Sequence, residues 1–393
     1  MIAAAITLFC IALIFYAYIG YPILLWVLAK VFGQRRTQAF ADDQWPSASL
    51  IIPVHNGASL VADKIANCQS LQYPGNLDIW FVLDGCTDGT ADALQQAVKT
   101  SDDRWPVRVH ESKERVGKEV ALRQLIGDLE TEVLVFSDAD AQFQSDTVMQ
   151  LVGPLSDPTV GVACGRETHV SGGPNSTGAA QGEGLFYKIE NAIKLWQIPV
   201  CSMTYVQGGV FSCRREIFPM QLRPGCTQDG VIAFETVLQN YRVRFAPDAI
   251  SVEPYKISVG QDYARRVRTV CRAFYSILCY GKMFLLPRTM GYAFHVLSHR
   301  MLRWFFIPLF FIIAITSTIA ALMAHWVFWV IPAGQACFLV LAWLGKEMER
   351  RGRRSKLPYF AYYFISLHSA AFTAVLQTIG GRRVVTWKPT DTL

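Results

Sequence analysis

The first 32 residues restrict the fold of this chain more than any other part of its sequence. Residues 2–32 are almost wholly apolar, and Lys30 is the only charged residue among them. About 20 consecutive apolar residues suffice to cross a lipid bilayer. A cleaved signal peptide is the alternative, and residues 39–41 (Ala-Phe-Ala) resemble a cleavage site. The run is too long for one, and its positive charges follow it rather than precede it, so we predict a membrane anchor over residues 1–34.

The charges beside the apolar segments predict how the chain is oriented. Lys30, Arg35 and Arg36 at the end of the anchor should stay cytosolic, which leaves the N-terminus outside. Hydrophobic residues make up 52% of the chain and charged residues 17%. Soluble domains carry roughly a quarter charged residues. The apolar surplus lies in the anchor and after residue 300, so the stretch between them is expected to be a cytosolic domain.

Further membrane segments are predicted in the last third of the chain. Residues 301–345 should form two transmembrane helices, and the loop KEMERRGRRSK, with six Lys or Arg and two Glu, returns the chain to the cytosol. The block 357–380 is followed by basic residues that a full crossing would export. We therefore expect it to be re-entrant, interfacial or a broken helix, with a transmembrane helix as the alternative, and residues 381–393 to be a cytosolic tail.

Residues 261–297 carry a different pattern. Arg265, Arg266, Arg268 and Arg272 alternate with apolar residues, which is typical of basic amphipathic helices. Such helices lie on the inner leaflet, although a soluble helix packed on the domain would show a similar pattern.

The charge and the cysteines exclude several classes of protein. The net charge is +6, but the basic residues cluster beside apolar segments, so no nucleic-acid partner is expected. The ten cysteines include no C-x-x-C pair, which argues against a zinc site or a disulfide framework. Free thiols suit the reducing cytosol.

Residues 45–255 read as an α/β domain in which short strands and helices alternate. Alternation of this kind predicts a doubly wound, mainly parallel sheet. The strands are predicted at residues 48–54, 77–83, 106–110 and 132–136.

Polar residues follow three of these strands. They are His55 and Asn56, then Asp84, and then Asp138 with Asp140. Ligands bind beyond the carboxyl ends of parallel strands, so these side chains should converge at one edge of the sheet. Each Asp alone could be a helix cap or a turn residue. Two carboxylates at a strand end also suit a hard divalent cation in contact with a diphosphate.

At these residues the chain resembles the family 2 glycosyltransferases of the membrane-anchored kind that build bacterial polysaccharides. The resemblance covers about residues 45–310. It rests on an ordered set of segments: SLIIPVHN, VLDGCTDGT, RVGKEVALRQ, FSDADA, VQGGVFSCRREIF, TQDGVIAFETVLQNYRVRFAPDAI and LSHRMLRWFFIPL.

The resemblance implies a GT-A fold and inversion at the anomeric carbon. It implies that the nucleotide-sugar is bound by Pro53, His55, Asn56, Asp84, Lys118 and Asp138. Asp138 and Asp140 would hold Mg²⁺ or Mn²⁺, and Asp229 would be the general base, although it could also serve as a helix cap. The acceptor or the diphosphate would meet Gly208, Gly209, Gln228, Gln261, Arg265, Arg266, Arg268 and Trp387.

The chain departs from the family pattern at several of these positions. His55, Gly57 and Gln228 replace the usual Tyr, Glu and Glu. Gln261 and the arginines after it match the Q-x-x-R-W pattern of processive members only at a wider spacing and without the Trp. These arginines could bind a diphosphate or anionic lipid. Trp387 could stack on a sugar or anchor the tail at the interface.

The sequence therefore predicts an inverting glycosyltransferase of the bacterial inner membrane. It would move a sugar from a nucleotide-sugar, with UDP favoured over GDP, to a glycan or a lipid-linked acceptor, with a polyprenyl-phosphate acceptor as an alternative. A nucleotidyltransferase is disfavoured because HNGASLVADK lacks a Gly-rich basic loop. A transporter with a regulatory domain is disfavoured because the spans are few and hold charged residues only at their ends.

Overall fold

The N-terminal segment is one long helix. The computed structural model describes residues 1–33, 40–41, 44–101, 104–171, 179–255, 259–323, 325–353 and 355–384. Helix α1 (Ile2–Phe15), a π-helical turn (Tyr16–Gly20) and helix α2 (Tyr21–Phe32) follow one another without a break. This 31-residue helix is long and apolar enough to cross a membrane.

The π-helical turn affects which side chains of this helix contact the central domain and the C-terminal helices. A π turn holds one residue more than an α turn, so it changes which side chains the following helix presents. Tyr21 is fully buried, and its hydroxyl lies 3.0 Å from His295 Nδ1 and accepts a 3.0 Å hydrogen bond from Gln197 Nε2. Tyr16 Oη lies 3.0 Å from Ser298 Oγ. The helix is therefore attached to the central domain by polar contacts as well as apolar ones.

The central domain is built on one eight-stranded sheet. Its strands are β1 (Ala48–Val54), β2 (Leu77–Asp84), β3 (Val107–Ser112), β4 (Val133–Ser137), β5 (Gln142–Phe143), β6 (Val160–Ser171), β7 (Val210–Arg214) and β8 (Arg242–Tyr255). They lie in the order β3-β2-β1-β4-β7-β6-β8-β5, and only β5 and β7 run antiparallel to the others. The predicted α/β fold with a mainly parallel sheet is confirmed.

Helices cover both faces of this sheet. They are α3 (Val61–Gln69), α4 (Thr90–Thr100), α5 (Lys118–Asp128), α6 (Thr147–Val152), α7 (Ala179–Val200) and α8 (Gln228–Leu238). Leu50 of β1 belongs to the same buried apolar cluster as Ile65 of α3, whereas Ile51 belongs to a second cluster with Leu122 of α5 and Ile232 of α8. Alternate residues of β1 thus face two separate cores, as a doubly wound sheet requires.

The C-terminal part is helical. It contains α9 (Val259–Cys279), α10 (Met290–Val296), α11 (Leu302–Trp304), α12 (Phe306–Met323), α13 (Val330–Arg350) and α14 (Lys356–Ile379). By length and composition, α12, the segment Trp326–Arg350 and α14 could each cross a membrane, as could the N-terminal helix. Helix α13 continues past the predicted boundary at residue 345, and Glu347 in its last turns pairs with Arg350 and Arg351, three and four residues further on.

The segment at residues 357–380, which was expected to be re-entrant, interfacial or a broken helix, forms one continuous helix, α14. Its small residues allow close packing along its length. Pro358 lies against Gly345 of α13, and the carbonyl oxygen of Ala374 lies 3.4 Å from Cys271 Sγ of α9. Beyond its end, the guanidinium of Arg383 lies 4.2 Å from the ring centre of Tyr275. Whether α14 crosses the bilayer or lies along it stays a prediction.

Candidate functional site

The predicted metal-binding residues lie directly after β4. Lys118 Nζ contacts Asp138 Oδ1 at 3.0 Å. Burial would raise the pKa of Asp138, but the ammonium groups of Lys118 and Lys64 outweigh this effect and hold it below its usual value. The pKa of Asp140 is raised by burial and by the charge of Asp138. Adding positive charge at this loop would therefore favour ionisation of both carboxylates.

The donor set suits a cation that also binds substrate oxygens. Within the described ranges, no group of three or more His, Cys, Asp or Glu side chains could hold a metal ion by itself. Mg²⁺ is often bound by only one or two carboxylates together with substrate phosphates and water. Asp138 and Asp140 fit that kind of site.

Two consecutive glycines lie between Asp138, a predicted metal ligand, and Asp229, the predicted general base. A Cβ atom on Gly209 would lie 2.9 Å from Asp138 Oδ2 and 3.2 Å from Glu253 Oε1. A Cβ atom on Gly208 would lie 3.3 Å from Asp229 Oδ2. The Gly-Gly backbone thus runs between Asp138 and Asp229. A side chain at either position would occupy space next to these carboxylates.

Asp229 lies in the first turn of α8. Thr227 caps this helix through a 3.0 Å hydrogen bond from the Gly230 amide to its hydroxyl. The amide of Gln228 donates a 3.2 Å hydrogen bond to Glu119 Oε2. Gln228 Oε1 is buried and has no hydrogen-bond partner among the described residues, so it is a candidate acceptor for a substrate hydroxyl.

The predicted nucleotide-binding residues lie together at the carboxyl ends of β1 and β2. Asp84 Oδ1 accepts hydrogen bonds from the amides of Val116 (2.8 Å) and Gly117 (2.9 Å), so this carboxylate also fixes the loop before Lys118. His55 Nδ1 donates to the Asp84 carbonyl at 2.6 Å. Pro53, next to them in β1, lies opposite Val82 of β2.

Asn56 connects this group to the turn after β2. Its Oδ1 accepts a 2.8 Å hydrogen bond from the Thr87 amide, and its φ of 52° is one that Asn tolerates better than most residues. The turn itself needs Gly85, because φ there is 59° and a Cβ atom would lie 2.5 Å from the Arg115 amide nitrogen. The backbone is thus shaped to hold these loops close together.

The arginines of α9 do not act as one group. The charge of Arg265 adds to the effect of Lys118 and Lys64 in lowering the pKa of Asp138, and it opposes the raised pKa of Asp140, so Arg265 lies near both carboxylates. Arg268 is half-buried, and its pKa is lowered by burial and by neighbouring arginines. Arg266 instead contacts Asp262 (2.6 Å) and donates to the Tyr363 hydroxyl (2.6 Å) of α14. Gln261 lies in the first turn of α9, and Trp387 lies outside the described residues.

Two carboxylates that sequence reasoning missed lie beside the metal loop. The pKa of Glu253 is raised to about 9 by burial and by the charges of Glu167, Asp138 and Asp140. Burial also raises the pKa of Glu167, which accepts a 2.9 Å hydrogen bond from Gln207 Nε2. An acidic residue at the end of a mostly apolar strand was the available signal for Glu253.

Sequence reasoning also missed Lys64, which lies behind the metal loop. It is 1% exposed and donates hydrogen bonds to Ser137 Oγ (2.7 Å) and to the Ala141 carbonyl (2.5 Å). Burial lowers the pKa of Lys64, and the charges of Cys68, Asp138 and Asp140 oppose that shift. A buried ammonium therefore fixes both ends of the loop that carries Asp138 and Asp140.

Comparisons with known proteins show what the chain is similar to. Residues 49–216 match the family described as "Glycosyl transferase family 2". A beta-monoglucosyldiacylglycerol synthase of Nostoc sp. is 29% identical over 136 residues, which are 34% of this chain and 29% of the relative. An N-acetylglucosaminyltransferase of Rhizobium leguminosarum bv. viciae is 30% identical over 149 residues, which are 35% of this chain and 34% of the relative. The chain thus spans about a third of the length of these curated relatives.

The fold extends beyond the matched domain. A mannosyltransferase from Pyrobaculum calidifontis, solved with GDP-Man and Mn²⁺, superposes with a TM-score of 0.70 at 20% identity. The superposition covers 95% of this chain and 99% of that structure. Both the central sheet and the helical segments around it are therefore shared with a solved protein.

Proposed function

Residues 49–216 match the family described as "Glycosyl transferase family 2", and on that premise we propose that the chain transfers a sugar, with inversion, from a nucleotide-sugar to a glycan or lipid-linked acceptor. The observation that carries this proposal is the Gly208-Gly209 backbone, which runs between Asp138 and Asp229. An inverting transfer needs a base on one side of the reacting carbon and stabilisation of the leaving group on the other.

The donor end lies at the carboxyl ends of β1, β2 and β4. Asp84 would bind the nucleoside, and His55 and Asn56 would shape the same pocket. Asp138 and Asp140 would hold Mg²⁺ or Mn²⁺, which neutralises the negative charge of a departing diphosphate. We favour a UDP-sugar over a GDP-sugar as donor. The presence of GDP-Man and Mn²⁺ in the Pyrobaculum structure supports a nucleotide-sugar and a divalent cation in general.

The acceptor end lies at the start of α8. Asp229 would take the proton of the acceptor hydroxyl as that oxygen attacks the anomeric carbon. Gln228 Oε1, which lacks a partner among the described residues, would accept a hydrogen bond from the acceptor. Arg265 of α9, whose charge acts on Asp138, would pair with the diphosphate or with an anionic acceptor.

The membrane segments suit an acceptor that is held at a bilayer. We propose that the domain is cytosolic at a bacterial inner membrane and that the product is a cell-surface or extracellular polysaccharide. A membrane lipid is the second candidate acceptor, because one relative is named as a glucosyldiacylglycerol synthase. Product size and solubility in organic solvent would separate the two.

The test uses membranes that contain the full-length protein and a panel of radiolabelled UDP- and GDP-sugars. We expect one donor to label a product, EDTA to stop the reaction, and Mn²⁺ or Mg²⁺ to restore it. Asp140→Ala should lower transfer by at least about 100-fold, because the charge of the leaving group is no longer balanced. A reaction that resists EDTA and tolerates Asp140→Ala would contradict the metal site.

A further inference from the structure

Arg300 lies against two aromatic rings, next to the helices that could cross a membrane. It belongs to the π-helical turn Leu297–Met301, which precedes α11 and α12. The central carbon of its guanidinium lies 4.3 Å from the ring centre of Tyr205 and 5.9 Å from that of Trp304. An aromatic ring attracts the charge of a guanidinium, but it offers no strong acceptor to the five N–H donors.

No acidic side chain pairs with Arg300 in the part of the chain that the structure describes. Burial lowers the pKa of this guanidinium, and the charge of Glu190 opposes only part of the shift. Glu190 contacts other groups, namely Arg303 at 2.8 Å and the ring of His299 at 3.3 Å. The pKa of His299 is itself lowered to about 4, mainly by burial, so this ring is neutral at pH 7. The half-buried charge of Arg300 therefore lacks a counter-charge of its own.

Lys194 of α7 is a second cation beside Tyr205. Its ammonium lies 5.3 Å from the centre of the Tyr205 ring and donates a 2.7 Å hydrogen bond to Oε1 of the uncharged Gln207. Glu167 accepts a hydrogen bond from the other end of the same amide, at 2.9 Å. Two cations thus share one aromatic ring, while the carboxylates near them bind other partners. Such a surplus of positive charge favours an anionic ligand.

The segment that carries Tyr205 continues into the acceptor end of the site. Tyr205 stands three residues before Gly208, and Gly208 lies next to Asp229. Three residues of extended chain span at most about 10 Å. An anion bound at Arg300 would therefore be close to a substrate whose hydroxyl is at Asp229.

We propose that Arg300 binds a phosphate group of a lipid-linked acceptor, with Tyr205 holding the guanidinium in place. The inference rests on the proposed function and specifies the class of its acceptor. A guanidinium matches a phosphate because two of its N–H groups can bind two oxygens at once. Because α12 would enter the membrane just after Arg300, the phosphates of membrane lipids would lie near the level of this side chain.

The test uses the purified full-length protein in phosphatidylcholine nanodiscs, with dodecyl phosphate as the probe and dodecanol as its uncharged match. The rise of Tm with probe concentration gives an apparent Kd. We expect dodecyl phosphate to protect the protein more than dodecanol does. Arg300→Gln should weaken its binding by at least about tenfold, because charge-assisted hydrogen bonds are lost. Arg300→Lys keeps the charge without the paired donors, so its loss should be smaller.

Variants of Tyr205 test the role of the ring and serve if Arg300→Gln does not fold. Tyr205→Leu should weaken binding several-fold, whereas Tyr205→Phe keeps the ring and should bind like the unchanged protein. Arg288→Gln is the matched control, since Arg288 is an exposed arginine that donates to the Leu238 carbonyl at 3.3 Å. Unchanged binding in Arg300→Gln, or an equal loss in Arg288→Gln, would overturn the inference.

Two further arms separate the alternatives. Nanodiscs that contain phosphatidylglycerol should leave the apparent Kd for dodecyl phosphate unchanged; loss of protection there would mean that an ordinary head group fills the site, against an acceptor. If no labelled nucleotide-sugar gives a product while dodecyl phosphate still binds through Arg300, the proposed function fails and the phosphate site stands. If transfer proceeds and Arg300→Gln binds the probe normally, the inference alone fails.

Discussion

At the scale of single residues, the site is a cluster of carboxylates next to the side chains of Lys64 and Lys118. Glu253 is the extreme case, since burial and the charges of Glu167, Asp138 and Asp140 raise its pKa to about 9. The usual value for this side chain is 4.5. In the folded protein without metal, Glu253 therefore keeps a proton through a pH range in which the unfolded chain loses it.

This shift predicts a pH-dependent stability. A raised pKa in the folded state contributes stability that is complete below about pH 4.5 and is lost as the pH rises toward 9. Glu253→Gln removes the titration. In EDTA, it should raise the Tm at pH 8.5 by a few degrees, as expected for a gain of about 1 kcal/mol, and change it little at pH 5.

Differential scanning fluorimetry at both pH values measures this effect. Exposed Glu114→Gln is the control and should behave alike at the two pH values. An unchanged or lower Tm for Glu253→Gln at pH 8.5 would contradict the raised pKa of Glu253.

The sequence revealed only some of these residues. Asp84, Asp138 and Asp140 could be predicted because each follows a recognisable apolar strand, and Asp229 was found by its resemblance to a family motif. Lys64 and Glu119 could not be predicted, because Lys64 contacts Ser137, 73 positions away, and Glu119 contacts Gln228, 109 positions away. No local pattern encodes such pairs. Only the topology of the sheet brings them together.

At the scale of elements, α3 holds the metal loop. Asn67 Nδ2 donates to the Phe143 carbonyl (2.7 Å), and its Oδ1 accepts from the Phe143 amide (2.9 Å). Gln69 makes the same pair of bonds to Trp105, both at 2.9 Å, in a loop away from the metal-side carboxylates. Helix α3 therefore carries two amide side chains that make the same kind of hydrogen bonds, but Asn67 bonds to β5 and Gln69 bonds to the loop at Trp105.

Because Asn67 and Gln69 make the same kind of hydrogen bonds, substitutions at the two positions can separate an effect on stability from an effect on activity. Asn67→Leu and Gln69→Leu should each lower the free energy of unfolding by about 1–3 kcal/mol, because two backbone groups lose their partners. Only Asn67→Leu should also lower transfer, by about tenfold, since it loosens the loop that carries Asp138 and Asp140. Thermal unfolding and initial rates measure the two effects. Equal losses of activity in both variants would contradict a specific role of α3.

The first strands of the sheet were predictable to within two residues. β1 was predicted at its observed bounds, and β2 and β4 differ by a residue or so, because each is a short apolar run that ends in polar residues. No such pattern located β6, β7 or the long helix α7. These elements include an antiparallel pairing and mixed polarity, so their sequences lack the simple alternation of a parallel unit.

At the scale of the whole molecule, the ends of α14 bear on the membrane topology. One end lies against α13 just before its charged last turns, and Arg383 beyond the other end lies on Tyr275 of α9. Arg383 also lies near Gly225, in the segment before α8. These contacts favour an interfacial position for α14, with both of its ends on the side of the central domain.

Protease protection in sealed vesicles tests this arrangement. A tag added after Leu393 should be cut together with the catalytic domain in inside-out vesicles and spared together with it in right-side-out vesicles. The reason is that basic residues such as Arg382 and Arg383 follow α14, and the positive-inside rule predicts that they stay on the cytosolic side. A tag before Met1 should show the opposite pattern. A C-terminal tag that is cut in right-side-out vesicles would mean that α14 crosses the bilayer.

The π-helical turn near residue 18 has a consequence for dividing this protein into parts. The tyrosines around it reach Ser298 and His295, and Leu25 of the same helix belongs to a buried cluster with Ile193 of α7. A fragment that starts after the anchor would expose these partners to water. An unrelated transmembrane helix fused in place of the first helix would not make these contacts with Ser298, His295 and Ile193. The first helix is thus an integral component of the protein's interior, and a version without it would need compensating substitutions where the helix contacts α7, Ser298 and His295.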